Sequence, residues 1–100
     1  MEVSEFVEKD DAGNVVQRGR LVDGQLDGEL VQYDESGAVA ASMSYRNGKL
    51  EGECRFYDRG VLKVRARFHD GVLEGEHVVY GDDGKPLVVS KYRGGKIVET

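Results

Sequence analysis

The side chains that could carry out a reaction are few. Cys54 is the only cysteine, and His69 and His77 are the only histidines. A cysteine nucleophile needs a base within hydrogen-bond reach. His77, however, stands in a repeated slot that Leu30 and Cys54 fill elsewhere, so all three read as packing residues, and His69 sits beside the Asp70-Gly71 pair. Acids come in spaced pairs: Asp27 and Glu29, Glu51 and Glu53, Glu74 and Glu76. General acid–base chemistry asks for two carboxylates whose environments drive their pKa values apart. These pairs recur one repeat apart and read as a solvated row with Lys and Arg neighbours. Asp10-Asp11-Ala12-Gly13 and Asp82-Asp83-Gly84 are too sparse for a calcium loop, which sets ligands at several fixed positions. The reading is a non-enzyme with no catalytic residues, no metal and no cofactor.

Two sets of residues are suited to binding. Arg18, Arg20, Arg65, Arg67 and Lys91 fall on one strand face by alternation, a basic stripe in an otherwise acidic chain. Arginine makes bidentate contacts to carboxylates and phosphates; the same charges also protect an exposed strand face from aggregation. Tyr33, Tyr57 and Tyr80 recur at one phase. They form a cross-strand aromatic row and are also of the type enriched in recognition surfaces.

What positions these residues is a repeated heptapeptide. Asn47-Gly48-Lys49-Leu50-Glu51-Gly52-Glu53 recurs as Asp23-Gly24-Gln25-Leu26-Asp27-Gly28-Glu29 and as Asp70-Gly71-Val72-Leu73-Glu74-Gly75-Glu76, with a degenerate copy from Gly94 to Thr100. The spacings between Gly24, Gly48, Gly71 and Gly95 are 24, 23 and 24 residues. A fixed period of this size marks a repeat architecture.

Asp-Gly, Asn-Gly and Gly-Gly pairs flanked by alternating apolar residues favour two-residue hairpin turns, because both central positions take a positive φ. Looser turns at Asp10–Gly13, Asp34–Gly37, Asp58–Gly60 and Asp82–Gly84 lie between them. Two turns per period give two strands per period. The pattern predicts strands at 3–9, 14–22, 26–33, 38–46, 50–57, 61–69, 73–80 and 86–93, with a fragment at 96–99. Short connections make sequence neighbours pair antiparallel. The expected fold is all-β: one domain over residues 1–100, an antiparallel meander of about four hairpin units, forming a curved, largely single-layer sheet truncated at both ends. Gly28, Gly52 and Gly75 inside strands predict a repeated bend.

Alternation assigns faces. Val15, Gln17, Gly19, Leu21 and their counterparts Val39, Ala41, Met43, Tyr45; Leu62, Val64, Ala66, Phe68; and Pro86, Val88, Ser90, Tyr92 are placed on a core face. Phe6, Leu30, Cys54 and His77 share its column, with Tyr33, Tyr57 and Tyr80 on the other side. The opposite face, including the basic stripe, is expected to be solvated.

Fourteen basic against nineteen acidic residues give a charge of −5. That disfavours nucleic acid and an anionic membrane, both of which reward a positive field. A lone thiol fits a reducing compartment. With no signal-type segment at Met1–Glu5 and no run approaching the ~20 apolar residues of a span, the expectation is a soluble, cytoplasmic chain.

The heptapeptide at Asn47, running on through Phe56-Tyr57-Asp58-Arg59-Gly60, resembles the variant MORN (membrane occupation and recognition nexus) repeat over nearly the whole chain. A Trp is common after the Gly-Glu pair in that family; here Leu30, Cys54 and His77 take the slot. The resemblance implies a binding protein. Bacterial proteins built from this variant are commonly labelled antitoxin components, and some resemble immunity proteins, so the implied partner is a toxin or enzyme. Related arrays resemble scaffolds or dimerisation modules, which implies self-association through the open face or edge strands as the alternative. Lipid binding is a third.

Overall fold

The computed structural model describes residues 1–98, and the last two residues of the degenerate heptapeptide, with the end of the expected 96–99 fragment, lie outside the described residues. Among the described residues, eleven strands form one open antiparallel sheet: β1 (Val3–Lys9), β2 (Val15–Val22), β3 (Gln25–Leu26), β4 (Gly28–Tyr33), β5 (Val39–Arg46), β6 (Lys49–Leu50), β7 (Gly52–Asp58), β8 (Val61–His69), β9 (Val72–Tyr80), β10 (Pro86–Arg93) and β11 (Lys96–Ile97). The order follows the chain, β1-β2-β4-β5-β7-β8-β9-β10-β11, with β3 and β6 as short continuations opposite β2 and β5. The expected meander is what forms. Its Cα envelope of 46 × 35 × 14 Å is that of one curved layer. No helix of the described residues is long and apolar enough to cross a membrane.

The dipeptide turns are left-handed at both positions, as the Asp-Gly and Asn-Gly chemistry requires: φ is 50° and 82° at Asp23-Gly24, 51° and 80° at Asn47-Gly48, and 54° and 83° at Asp70-Gly71. Loss of one residue converts the third loose turn to the same type, Arg59-Gly60, with φ of 53° and 79°. The remaining loose turns are closed by their acids. Asp34 Oδ1 accepts from the backbone N–H of Ser36 (2.8 Å) and of Ala38 (3.0 Å), and Asp10 Oδ1 from those of Ala12 (3.0 Å) and Asn14 (2.9 Å).

The bend at each interior glycine is a two-residue bulge. Leu21 pairs with Leu26 and Asp27 N–H bonds Arg20 C=O, yet Arg18 pairs with Val31; Gly28 and Glu29 are therefore extra residues on the longer strand. The same offset recurs at Gly52-Glu53 and at Gly75-Glu76. These bulges cut the expected continuous strands at 26–33 and 50–57 into β3/β4 and β6/β7.

A second bulge, absent from the sequence reading, inserts Val16, Ala40, Lys63 and Leu87 opposite a single partner position. It corrects the face assignment at the strand starts. Val15 and Val39, expected on the core face, line hollows on the opposite face with Tyr33 and Tyr57. Leu62 and Pro86 likewise stand opposite Tyr57 and Tyr80. An extra residue resets a period-2 alternation.

Beyond that point the alternation holds. Register places Phe6, Gly19, Leu30, Met43, Cys54, Ala66, His77 and Ser90 in one row across the packed face. Gly19 carries no side chain because Phe6 and Leu30 close over it; a Cβ there would lie 3.0 Å from both. The buried core is small: Leu30, Ala41, Cys54 and Ala66 on this face, with Cys54 fully inaccessible. The expected one-sided core is incomplete, since Val78 on the opposite face is also buried.

Candidate protein-binding face

The opposite face carries both predicted binding sets, because Arg18, Arg65 and the tyrosines share its side of the register. They are not equivalent. In the C-terminal half, Arg65 Nε donates to the Tyr80 hydroxyl at 3.1 Å, while its terminal nitrogens reach Glu53 Oε1 and Glu76 Oε1, both at 3.3 Å. The Tyr80 bond, opposed by desolvation and reinforced by Glu76 and Glu53, raises the Arg65 pKa further above its ordinary value. Arg55 adds a 2.8 Å contact to Glu53. This half of the face is closed by its own ion network.

The N-terminal half is open. Arg18 lies over the Tyr33 ring, 5.7 Å from its centroid. A hollow of about 350 Å³ runs between Val7, Val15, Arg18, Tyr33 and the Asp34–Gly37 turn. A second, of about 400 Å³, is lined by Glu29, Val31, Val39, Ser42 and Tyr57. Tyr33 and Tyr57 are half-buried, so part of each side chain stays accessible beside its hollow. Large amphipathic rings and arginine beside apolar hollows are the composition of protein-binding patches.

The basic stripe is matched by acids rather than standing free. Across this face Glu5 pairs with Arg20, Glu53 with Arg67 and Glu76 with Lys91. The row therefore alternates in sign, and Arg20, Arg67 and Lys91 present exposed charge without a basic field.

One role was missed in the sequence. The acid at the fifth position of each intact heptapeptide clasps the next copy: Asp27 Oδ2 accepts the N–H of Asn47 (3.2 Å), Glu51 Oε1 that of Asp70 (3.0 Å), and Glu74 Oε2 that of Gly94 (2.6 Å). Each turn glycine also donates to the preceding leucine carbonyl, Gly48 to Leu26, Gly71 to Leu50 and Gly95 to Leu73. The signal was the recurrence of an acid at that phase in the three intact copies, while the position two residues before it varies between Gln, Lys and Val. These acids hold repeat to repeat.

For catalysis the geometry offers little. Ala66 stands between Cys54 and His77 in the packed row, a two-strand separation of about 10 Å. Burial pushes the Cys54 thiol pKa up, away from the reactive thiolate. His77 meets the Tyr92 ring edge-on, centroids 6.1 Å apart. Among the described residues no three His, Cys, Asp or Glu side chains converge as a metal site would require. Comparison with protein-family models, curated proteins and solved structures found no match.

Proposed function

We propose that this chain is a non-catalytic protein-binding module of the antitoxin or immunity type, acting stoichiometrically on a toxin or enzyme in a reducing compartment. The carrying observation is the open half of the face opposite the packed row, the furrowed face, where Arg18, Tyr33 and Tyr57 border two hollows lined in part by Val7, Val15, Val31 and Val39. The residues resembling variant MORN repeats support the same reading, since that resemblance implies a binding role. An anionic lipid surface fits less well, because Glu5, Glu53 and Glu76 stand opposite the stripe it would need.

The test is isolation of complexes formed by the tagged chain in cells, followed by titration of each captured protein. A partner that saturates at fixed stoichiometry and loses its activity when bound supports the proposal. Absence of any saturable partner refutes it.

A further inference from the structure

We propose that Asn47 is a covalent modification site, where loss of the side-chain amide alters the junction between the Asp23 and Asn47 copies of the heptapeptide. Asn14 and Asn47 are the only asparagines, and Asn47 alone precedes a glycine, the residue that least hinders attack by its own backbone nitrogen. Asn47 is exposed, so water reaches it. Hydroxide takes the Gly48 N–H proton, the nitrogen bonds to Asn47 Cγ, and the Cγ–N bond of the amide breaks. The departing nitrogen takes a proton from water and leaves as ammonia. This regenerates the hydroxide and leaves a cyclic succinimide. Water then opens the ring: attack at Cγ gives aspartate, and attack at the main-chain carbonyl gives isoaspartate, whose chain runs through Cβ and Cγ.

The fold holds the first step back. The Gly48 N–H, whose proton must leave, donates to the Leu26 carbonyl at 2.8 Å, and the Asn47 N–H donates to Asp27 Oδ2 at 3.2 Å. Ring closure also swings this peptide unit out of a turn with φ of 51° and 80°. The clasp must open before the amide is lost, so the rate reports that local opening. The two products then fare differently. Aspartate already stands in two such turns, with φ of 50° at Asp23 and 54° at Asp70, and Asp70 is clasped by Glu51 as Asn47 is by Asp27. Isoaspartate adds a carbon to the main chain. A two-residue turn between the pairs Arg46–Lys49 and Tyr45–Leu50 has no room for it, so register and the Gly48–Leu26 bond are lost there, while Gly71 and Gly95 keep theirs. An ionised aspartate is a poor electrophile, so the Asp-Gly turns form the same ring more slowly and Asn47 reacts first.

Incubation of the 100-residue chain at mildly alkaline pH, followed by peptide mass spectrometry, tests this. Asn47 should convert roughly tenfold or more slowly in the native chain than in guanidinium, while Asn14, before the branched Val15, stays intact. Asp27→Ala, which removes a charged acceptor from the clasp, should speed conversion in native buffer roughly tenfold. The isoaspartyl fraction, identified by an isoaspartate-specific methyltransferase, should unfold at lower urea than Asn47→Asp, and Asn47→Asp should unfold with the native chain. Conversion as fast in the native chain as in guanidinium overturns the proposal, as does no conversion in either. So does an isoaspartyl fraction as stable as Asn47→Asp, or a folded Asp27→Ala that converts at the native rate. If Asp27→Ala fails to fold, the native chain with and without guanidinium decides the protection alone.

Discussion

Glu51 Oε1 accepts the backbone N–H of Asp70 at 3.0 Å while its other oxygen lies 3.0 Å from His69 Nδ1, so one carboxylate joins the turn of the next repeat to the end of the strand that precedes it. The His69 bond, with the Asp70 N–H, lowers the Glu51 pKa; the Glu51 bond raises that of His69. A lowered acid contributes stability above its ordinary value of 4.5 that is lost as pH falls through the lowered one. A raised histidine contributes stability below its ordinary 6.5 that is lost as pH rises through the raised one. The clasp is therefore strongest between those two ordinary values. An NMR titration should find His69 above 6.5 in the native chain and returned toward 6.5 in Glu51→Gln; an unchanged midpoint would show that the contact is not made in solution.

Gly52 has φ of 98° at the bulge, and a Cβ there would find its nearest neighbour, Ser44 Oγ, at an ordinary 3.6 Å. The cost of Gly52→Ala is thus conformational rather than steric, about 1–3 kcal/mol. Urea unfolding measures it. A change below about 0.5 kcal/mol, the range of neutral surface substitutions, would mean that the bulge relaxes.

Arg65 and Tyr80 form one unit with Glu53 and Glu76. Arg65 is 30% exposed at its side chain, so screening limits its worth, and Arg65→Met or Tyr80→Phe should each cost about 1 kcal/mol. Because each removes the same 3.1 Å bond, the double variant should cost less than the sum by about 0.5 kcal/mol or more. Strict additivity would show the bond to be energetically idle.

Cys54 is fully inaccessible and its thiol pKa is raised by burial. Its reaction with a thiol reagent in native buffer should proceed only through opening of the sheet, at a rate that rises with urea as unfolding does. Rapid labelling without denaturant would contradict the packed row. Cys54→Ala should cost about 1–2 kcal/mol, at the low end for a buried truncation.

Much of this was legible because the chain repeats itself. Asn47-Gly48 and its counterparts announced their turns, and alternation correctly aligned Phe6, Leu30, Cys54 and His77. What escaped was local to the bulges. Val15 and Val39 lie on the face opposite to the one expected because nothing in Val15-Val16 or Val39-Ala40 marks an inserted residue, and the counterparts Leu62-Lys63 and Pro86-Leu87 share no side-chain character with them. The acids at Asp27, Glu51 and Glu74 looked merely solvated, since their partners are backbone N–H groups that the sequence does not name. The split of the binding set was likewise hidden. Tyr57 and Tyr80 share a phase, but only Tyr80 stands beside Arg65, whereas the equivalent strand of the preceding repeat carries Ser42.

The central claim is that the open half of the furrowed face binds a protein. The direct measurement compares stoichiometric capture of the partner by the native chain, by Tyr33→Ala/Tyr57→Ala, and by a packed-face control, Met43→Leu. The account predicts that the tyrosine pair lowers affinity at least tenfold, about 1.4 kcal/mol or more, with an intact fold, while the control binds as the native chain does. Undiminished binding by the tyrosine variant, or equal loss in the control, would contradict it.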